Sequence, residues 1–117
     1  MGRKATFAVC TLNQWALDFD GNLERILESI KKARQLGAKY RTGPELEITG
    51  YSCEDHFYES DTLLHSWQVL KAIIEDPICH GVLVSLNNST WTLNVYNKFY
   101  EYLGGCWHAS HAQECYV

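Results

Sequence analysis

Glu45 and Glu47, inside the run Arg41-Thr42-Gly43-Pro44-Glu45-Leu46-Glu47-Ile48-Thr49-Gly50-Tyr51, are the side chains whose type and spacing suggest chemistry. A carboxylate acts as a general base when it stands within reach of the proton to be removed. Pro44 fixes φ and cannot donate to a ladder, so Glu45 is expected where a strand has just stopped pairing. Pockets of α/β sheets open beyond the carboxyl ends of strands, which makes Glu45 the candidate proton acceptor. The plainer reading is a solvated acid beside a turn. In a locally extended stretch Glu47 shares a face with Glu45, and Leu46 and Ile48 turn to the core. The two acids then repel, and Glu47 reads as a supporting residue.

Thiols and imidazoles form the other candidate set. Cys106, His108, His111 and Cys115 offer two sulfur and two nitrogen ligands at short spacings, enough for a zinc tetrahedron. That spacing belongs to no zinc-finger pattern, so no metal site is assigned. Cys53 and Cys79 are thiols that could approach Glu45, but a thiol with no oxyanion site does little.

The elements that must position Glu45 follow from periodicity. Ala5 to Leu12 is an almost continuous apolar run, which predicts a central strand buried on both faces. Asp20 or Asn22 is the expected cap of a helix whose apolar stripe is Leu23, Ile26, Leu27, Ile30 and Ala33, ended by Gly37. Lys39 to Gly43 is the next strand, parallel to the first across this helical crossover. The polar and aromatic loop Ser52 to Glu59 is long enough to wall the strand end. Ser60 or Asp61 should cap a second helix with the stripe Leu63, Trp67, Leu70 and Ile74, widened by Leu64 and Ile73 and closed by Pro77. Val82 to Val84 is a short third strand, and irregular chain is expected after it.

A chain of 117 residues that is 46% hydrophobic builds one domain. Its net charge of −4, with Lys and Arg scattered, excludes the electrostatic footprint of a nucleic-acid binder. The apolar start is too short and polar for a membrane span or signal peptide, so no membrane partner and a cytoplasmic location are expected. Five cysteines, an odd number without framework spacing, fit free thiols in a reducing compartment. Beyond position 80 only Lys98, Glu101 and Glu114 carry charge and aromatic residues are frequent. This shift divides the chain into residues 1–80 and a divergent tail, 81–117.

Four segments are the ground for a resemblance: Met1-Gly2-Arg3-Lys4, the run Leu12 to Phe19, Gly43 to Tyr51, and Tyr58 to Ser66. With strand, helix and strand in this order, residues 1–80 resemble the nitrilase (carbon–nitrogen hydrolase) superfamily. Within it they are most similar to the N-terminal glutaminase domains of eukaryotic glutamine-dependent NAD(+) synthetases. The resemblance implies an α/β fold, an incomplete nitrilase-like α-β-β-α sandwich with a parallel β-helix-β start and two amphipathic helices. It implies that Glu45 takes the proton of an attacking cysteine and that Tyr51 lines the pocket for glutamine, the family substrate. Such domains hydrolyse glutamine to supply ammonia for amidating nicotinate adenine dinucleotide in NAD biosynthesis.

The family's lysine and cysteine have no counterpart in this sequence. Lys98 stands outside any Arg-Pro-Lys motif, and Cys106 lacks the nucleophile context. The pyrophosphate-binding Ser-Gly-Gly-x-Asp-Ser loop is missing as well. The chain is therefore expected to be a truncated part of such an enzyme, inactive alone. It should bind no cofactor itself, because the family's ATP and magnesium belong to a domain absent here. The alternative is a non-catalytic binding module, since half a sandwich leaves an apolar sheet face for full-length homologous subunits to cover.

Overall fold

Two short parallel strands and the helix between them open the chain. The computed structural model describes residues 2–92, 94–103 and 106–111, with side chains through residue 86. Strand β1 (Phe7–Val9) leads into helix α1 (Phe19–Gln35) and strand β2 (Tyr40–Thr42). A 3₁₀ turn at Glu54–Tyr58 precedes helix α2 (Ser60–Glu75), and another at Pro77–Cys79 follows it. Strands β3 (Leu83–Thr92), β4 (Asn94–Leu103) and β5 (Cys106–His111) complete the order. The sheet runs β1-β2-β3-β4-β5. Its first three strands are parallel, with Val9 opposite Thr42 and Thr42 opposite Ser85, and the last two are antiparallel additions. The fold is α/β, as expected. No helix among the described residues is long and apolar enough to cross a membrane.

Helix α1 forms where its stripe predicts, with Ile26, Ile30 and Ala33 buried. Its cap differs from the expectation. Asp18, not Asp20 or Asn22, is the N-cap, and its carboxylate accepts from the Gly21 amide at 3.3 Å. Asn22 instead lies wholly buried within the helix, where its amide is occupied by other segments. Lys32 and Arg34 sit in the last turn, favourable to the helix dipole, and Gly37 leaves the helix at φ +78°.

Helix α2 is rotated relative to its expected stripe. Thr62, Ser66, Val69, Leu70 and Ile73 are buried, whereas Leu64 and Trp67 are exposed. Polar residues enter the inner face because a helix can satisfy them itself: the Ser66 hydroxyl donates to the Thr62 carbonyl at 2.8 Å. Its N-cap is Glu59, because Ser60 and Asp61 already belong to the first turn. Both helices share one core with β3, made of Ile26, Ile30, Val69, Leu70, Ile73, Val84 and Leu86 together with Ile48, Cys79 and Val82. Full burial of each such aliphatic side chain contributes about 1.5–3 kcal/mol.

Two other expectations fail at the sheet's ends. β1 is an edge strand, not a central one, and Phe7 and Val9 are 67% and 82% exposed. An apolar run says that a strand suits burial on both faces; it does not supply the neighbour that buries it. Beyond Val84 the chain is not irregular, for β3 extends and β4 and β5 follow. The β-branched and aromatic residues of this region, Val95, Tyr96, Phe99, Tyr100 and Tyr102 among them, favour strands.

Candidate active site

Glu45 leaves the carboxyl end of β2 on a tight turn rather than on a strand. Residues 45–49 coil, and the Gly50 amide donates to the Leu46 carbonyl at 2.8 Å. Leu46 takes a left-handed φ of 56°, and Gly50 follows at 80°. Period-two alternation holds only in extended backbone, so the expected sharing of a face by Glu45 and Glu47 does not occur. Glu45 is exposed at the strand end, whereas Glu47 is 0% exposed.

A buried charge needs a partner, and Arg41, also 0% exposed, supplies it. Arg41 Nη1 donates to Glu47 Oε1 at 3.1 Å, and Nη2 lies 2.9 Å from Oε2. The same guanidinium donates to Ser29 Oγ of α1 from Nε at 3.0 Å and from Nη2 at 2.6 Å. Ser29 in turn donates to the Ile26 carbonyl at 2.6 Å. Position 43 must be glycine, since a Cβ there would overlap the Glu47 carboxylate.

The far side of the turn is held by its backbone. Its successive carbonyls at Glu47, Ile48 and Thr49 accept from Gln14 Nε2 at 2.7 Å, Asn22 Nδ2 at 3.0 Å and the Leu17 amide at 2.8 Å. Asn22 also closes on Trp15, accepting from its amide and donating to its carbonyl. Arg25 orients this set by donating to Gln14 Oε1 and Asn22 Oδ1, each at 2.7 Å, and to Asp18 Oδ2 at 3.1 Å. Among the described residues the non-glycine positions at positive φ are Leu17, Leu46, Ser52 and Glu54. Leu17 and Leu46 lie on the two segments joined here, and Ser52 and Glu54 on the loop that follows them. Left-handed backbone gathered in one place is typical of functional sites.

Tyr51 follows the turn and is 43% exposed. Burial raises its phenol pKa above the usual value, and the charges of Glu45 and Glu47 push it further up. The hydroxyl thus stays protonated near neutral pH, within electrostatic reach of both acids. The loop beyond it is built around the 3₁₀ turn, with His56 Nδ1 2.9 Å from Glu59 Oε1.

Neither buried thiol is poised as a nucleophile. Cys53 Sγ lies 3.4 Å from the Thr49 carbonyl, and burial raises its pKa. Cys79 is pushed up to about 11 by burial and by Asp76. Among the described residues no three His, Cys, Asp or Glu side chains gather as a metal site. The Cys106, His108, His111 and Cys115 set falls on side chains outside the described residues. A cleft of about 470 Å³ runs between β1 and α1, lined by Cys10 and Leu12, and does not include Glu45.

In the sequence, Arg41, Ser29, Gln14 and Arg25 are assigned no site role, and Asn22 is taken only as a helix cap. For two of them a signal existed. Asn22 and Ser29 occupy helical positions in register with Ile26, Ile30 and Ala33, and a polar residue on an apolar stripe requires a buried partner.

Comparison with known proteins adds lineage to this geometry. The carbon–nitrogen hydrolase family pattern matches residues 6–107. The chain is 60% identical over 95 residues to a glutamine-dependent NAD(+) synthetase of Drosophila melanogaster, covering 81% of this chain and 12% of that protein. It is 59% identical over 95 residues to the Homo sapiens enzyme of that name, covering 81% and 14%. It therefore spans about an eighth of the length of these relatives. The crystal structure of a glutamine-dependent NAD(+) synthetase from Cytophaga hutchinsonii superimposes with a TM-score of 0.81 at 26% identity, over 92% of this chain and 19% of that one. A nitrilase-superfamily amidase of Nesterenkonia, at 19% identity and a TM-score of 0.71 over 95% of this chain and 44% of that one, shares the fold. A single-residue mutant of that amidase is also known with the acetamide moiety of fluoroacetamide added covalently at its active-site cysteine.

Proposed function

Because this chain belongs to the carbon–nitrogen hydrolase family, we propose that it supplies the base-bearing part of the glutaminase site of a glutamine-dependent NAD(+) synthetase. Glu45 is the proton acceptor and the glutamine side-chain amide is the substrate. In this reading Glu45 takes the proton of a cysteine thiol contributed by further chain, and the sulfur attacks the amide carbon. A lysine, also from further chain, stabilises the resulting oxyanion. The proton held at Glu45 passes to the leaving nitrogen, and ammonia departs. Water, deprotonated by the same carboxylate, hydrolyses the thioester to glutamate and restores the thiol. The neutral Tyr51 hydroxyl is suited to hydrogen-bond the polar end of glutamine.

The observation that carries this reading is the placement of Glu45. It is the exposed acid of a Pro-Glu turn at the carboxyl end of a parallel strand, on a scaffold fixed by buried hydrogen bonds. The covalent adduct on the Nesterenkonia amidase supports thiol chemistry in this fold. ATP and magnesium would act in the synthetase portion, outside the residues of this chain.

A graft tests the proposal. Residues 6–86 would replace the matching segment of the Homo sapiens relative, and two activities would be measured: glutamine hydrolysis, and NAD formation with free ammonia. Glu45→Gln is expected to lower glutamine hydrolysis at least about 100-fold while leaving the ammonia-driven reaction unchanged. Full glutaminase activity in that variant would refute the assignment.

A further inference from the structure

Glu45 stands in the middle of a loop whose ends are tied by charge. Arg41 is fixed from both sides, because β2 pairs with β1 along one edge and β3 along the other. Six residues on, Glu47 meets its guanidinium in a two-pronged ion pair wholly removed from solvent. Ser29 ties that guanidinium to α1. A Cβ on Gly43 would come within 2.9 Å of Arg41 Nη1, so the chain leaving β2 passes directly against the pair.

Between the tied ends, Leu46 holds its φ of 56°. An L side chain avoids this conformation, and such backbone persists only where its surroundings over-determine it. A well-packed apolar pair would stabilise the turn as well or better than buried charges. What the ion pair adds is direction, since the Nη1 to Oε1 hydrogen bond and the close Nη2 to Oε2 contact together orient both groups.

We infer that Arg41 and Glu47 are positioning residues: their buried pair locks Leu46 in its left-handed conformation and so aims the Glu45 carboxylate at the reacting thiol. The inference rests on the reading of Glu45 as the base. Arg41 and Glu47 are both 0% exposed, so they act by holding the turn.

Three variants of the same graft test this. Leu46→Gly leaves the ion pair intact and accepts a left-handed φ without strain, so kcat for glutamine should stay within about twofold of the parent. Glu47→Gln keeps the shape without the charge, and Arg41→Lys keeps the charge without the planar guanidinium. Both should lower kcat about tenfold or more, with KM within about twofold, because a misplaced base slows chemistry more than binding. In the 117-residue chain itself, Glu47→Gln should speed hydrogen exchange of the Gly50 amide about tenfold while the amides of α1 stay protected. Unchanged kcat in folded Glu47→Gln protein would overturn the inference, as would equal loosening of α1 and Gly50. Should Arg41→Lys not fold, Glu47→Gln still decides. An inactive Glu45→Gln beside a fully active Glu47→Gln refutes the clamp alone; an active Glu45→Gln refutes the base and the clamp together.

Discussion

Two acids two residues apart have opposite fates in this chain. Glu45 faces solvent at the strand end, and Glu47 is enclosed with Arg41. The sequence identified Glu45 as the residue to explain, because Pro44 marks the place where pairing stops. It could not separate the two acids, because their assignment depends on one left-handed residue between them. The thiols are governed by burial as well. Cys79, raised to about 11 from an ordinary value of 9.0, stays protonated in the folded chain when an unfolded thiol has ionised. The folded state then binds more protons, so the stability that Cys79 contributes is complete below pH 9 and is lost as pH rises toward 11. Urea titrations across that range should show falling stability, and Cys79→Ala should flatten this alkaline limb while lowering stability at pH 7 through its cavity.

Helix α1 joins the fold to the site. Its apolar stripe and its end at Gly37 were legible from spacing alone, but its use of Asn22 was not. That side chain serves the Trp15 amide, the Trp15 carbonyl and the Ile48 carbonyl, which lie 7 and 26 residues away. Asn22→Ala removes these three backbone contacts and the one from Arg25 while preserving helix propensity. Unfolding free energy should fall by about 2–3 kcal/mol, the cost of buried backbone groups left unpaired. Chemical denaturation of the purified chain measures it. A change below half a kcal/mol would mean that water replaces the amide. In α2 the spacing gave a helix of about the right extent, yet a different face packs inward, because the Ser66 hydroxyl bonds the Thr62 carbonyl within the helix and can be buried.

The whole molecule carries an edge that its composition does not suggest. β1 is apolar enough for the middle of a sheet, yet Phe7 and Val9 are exposed and one side of the strand is unpaired among the described residues. Exposed apolar edges pair with other chains unless blunted by charge. Val9→Lys should therefore raise the concentration at which the purified chain begins to aggregate, by severalfold as read by light scattering, with little change in its melting midpoint. If aggregation is unaffected, the edge is not what drives association.

The sequence by itself determined the α/β class, the parallel opening unit, the presence of both helices, the family, and the acid at the end of the second strand. These depend on local periodicity, on backbone stereochemistry at Pro and Gly, and on matched words along the chain. Tertiary structure alone decided which carboxylate turns inward, which polar side chains hold the turn, and where β1 lies in the sheet. Each of those is settled by a partner distant in sequence: a buried carboxylate is stable only against the guanidinium that meets it, and a strand is central only when both neighbours are in place.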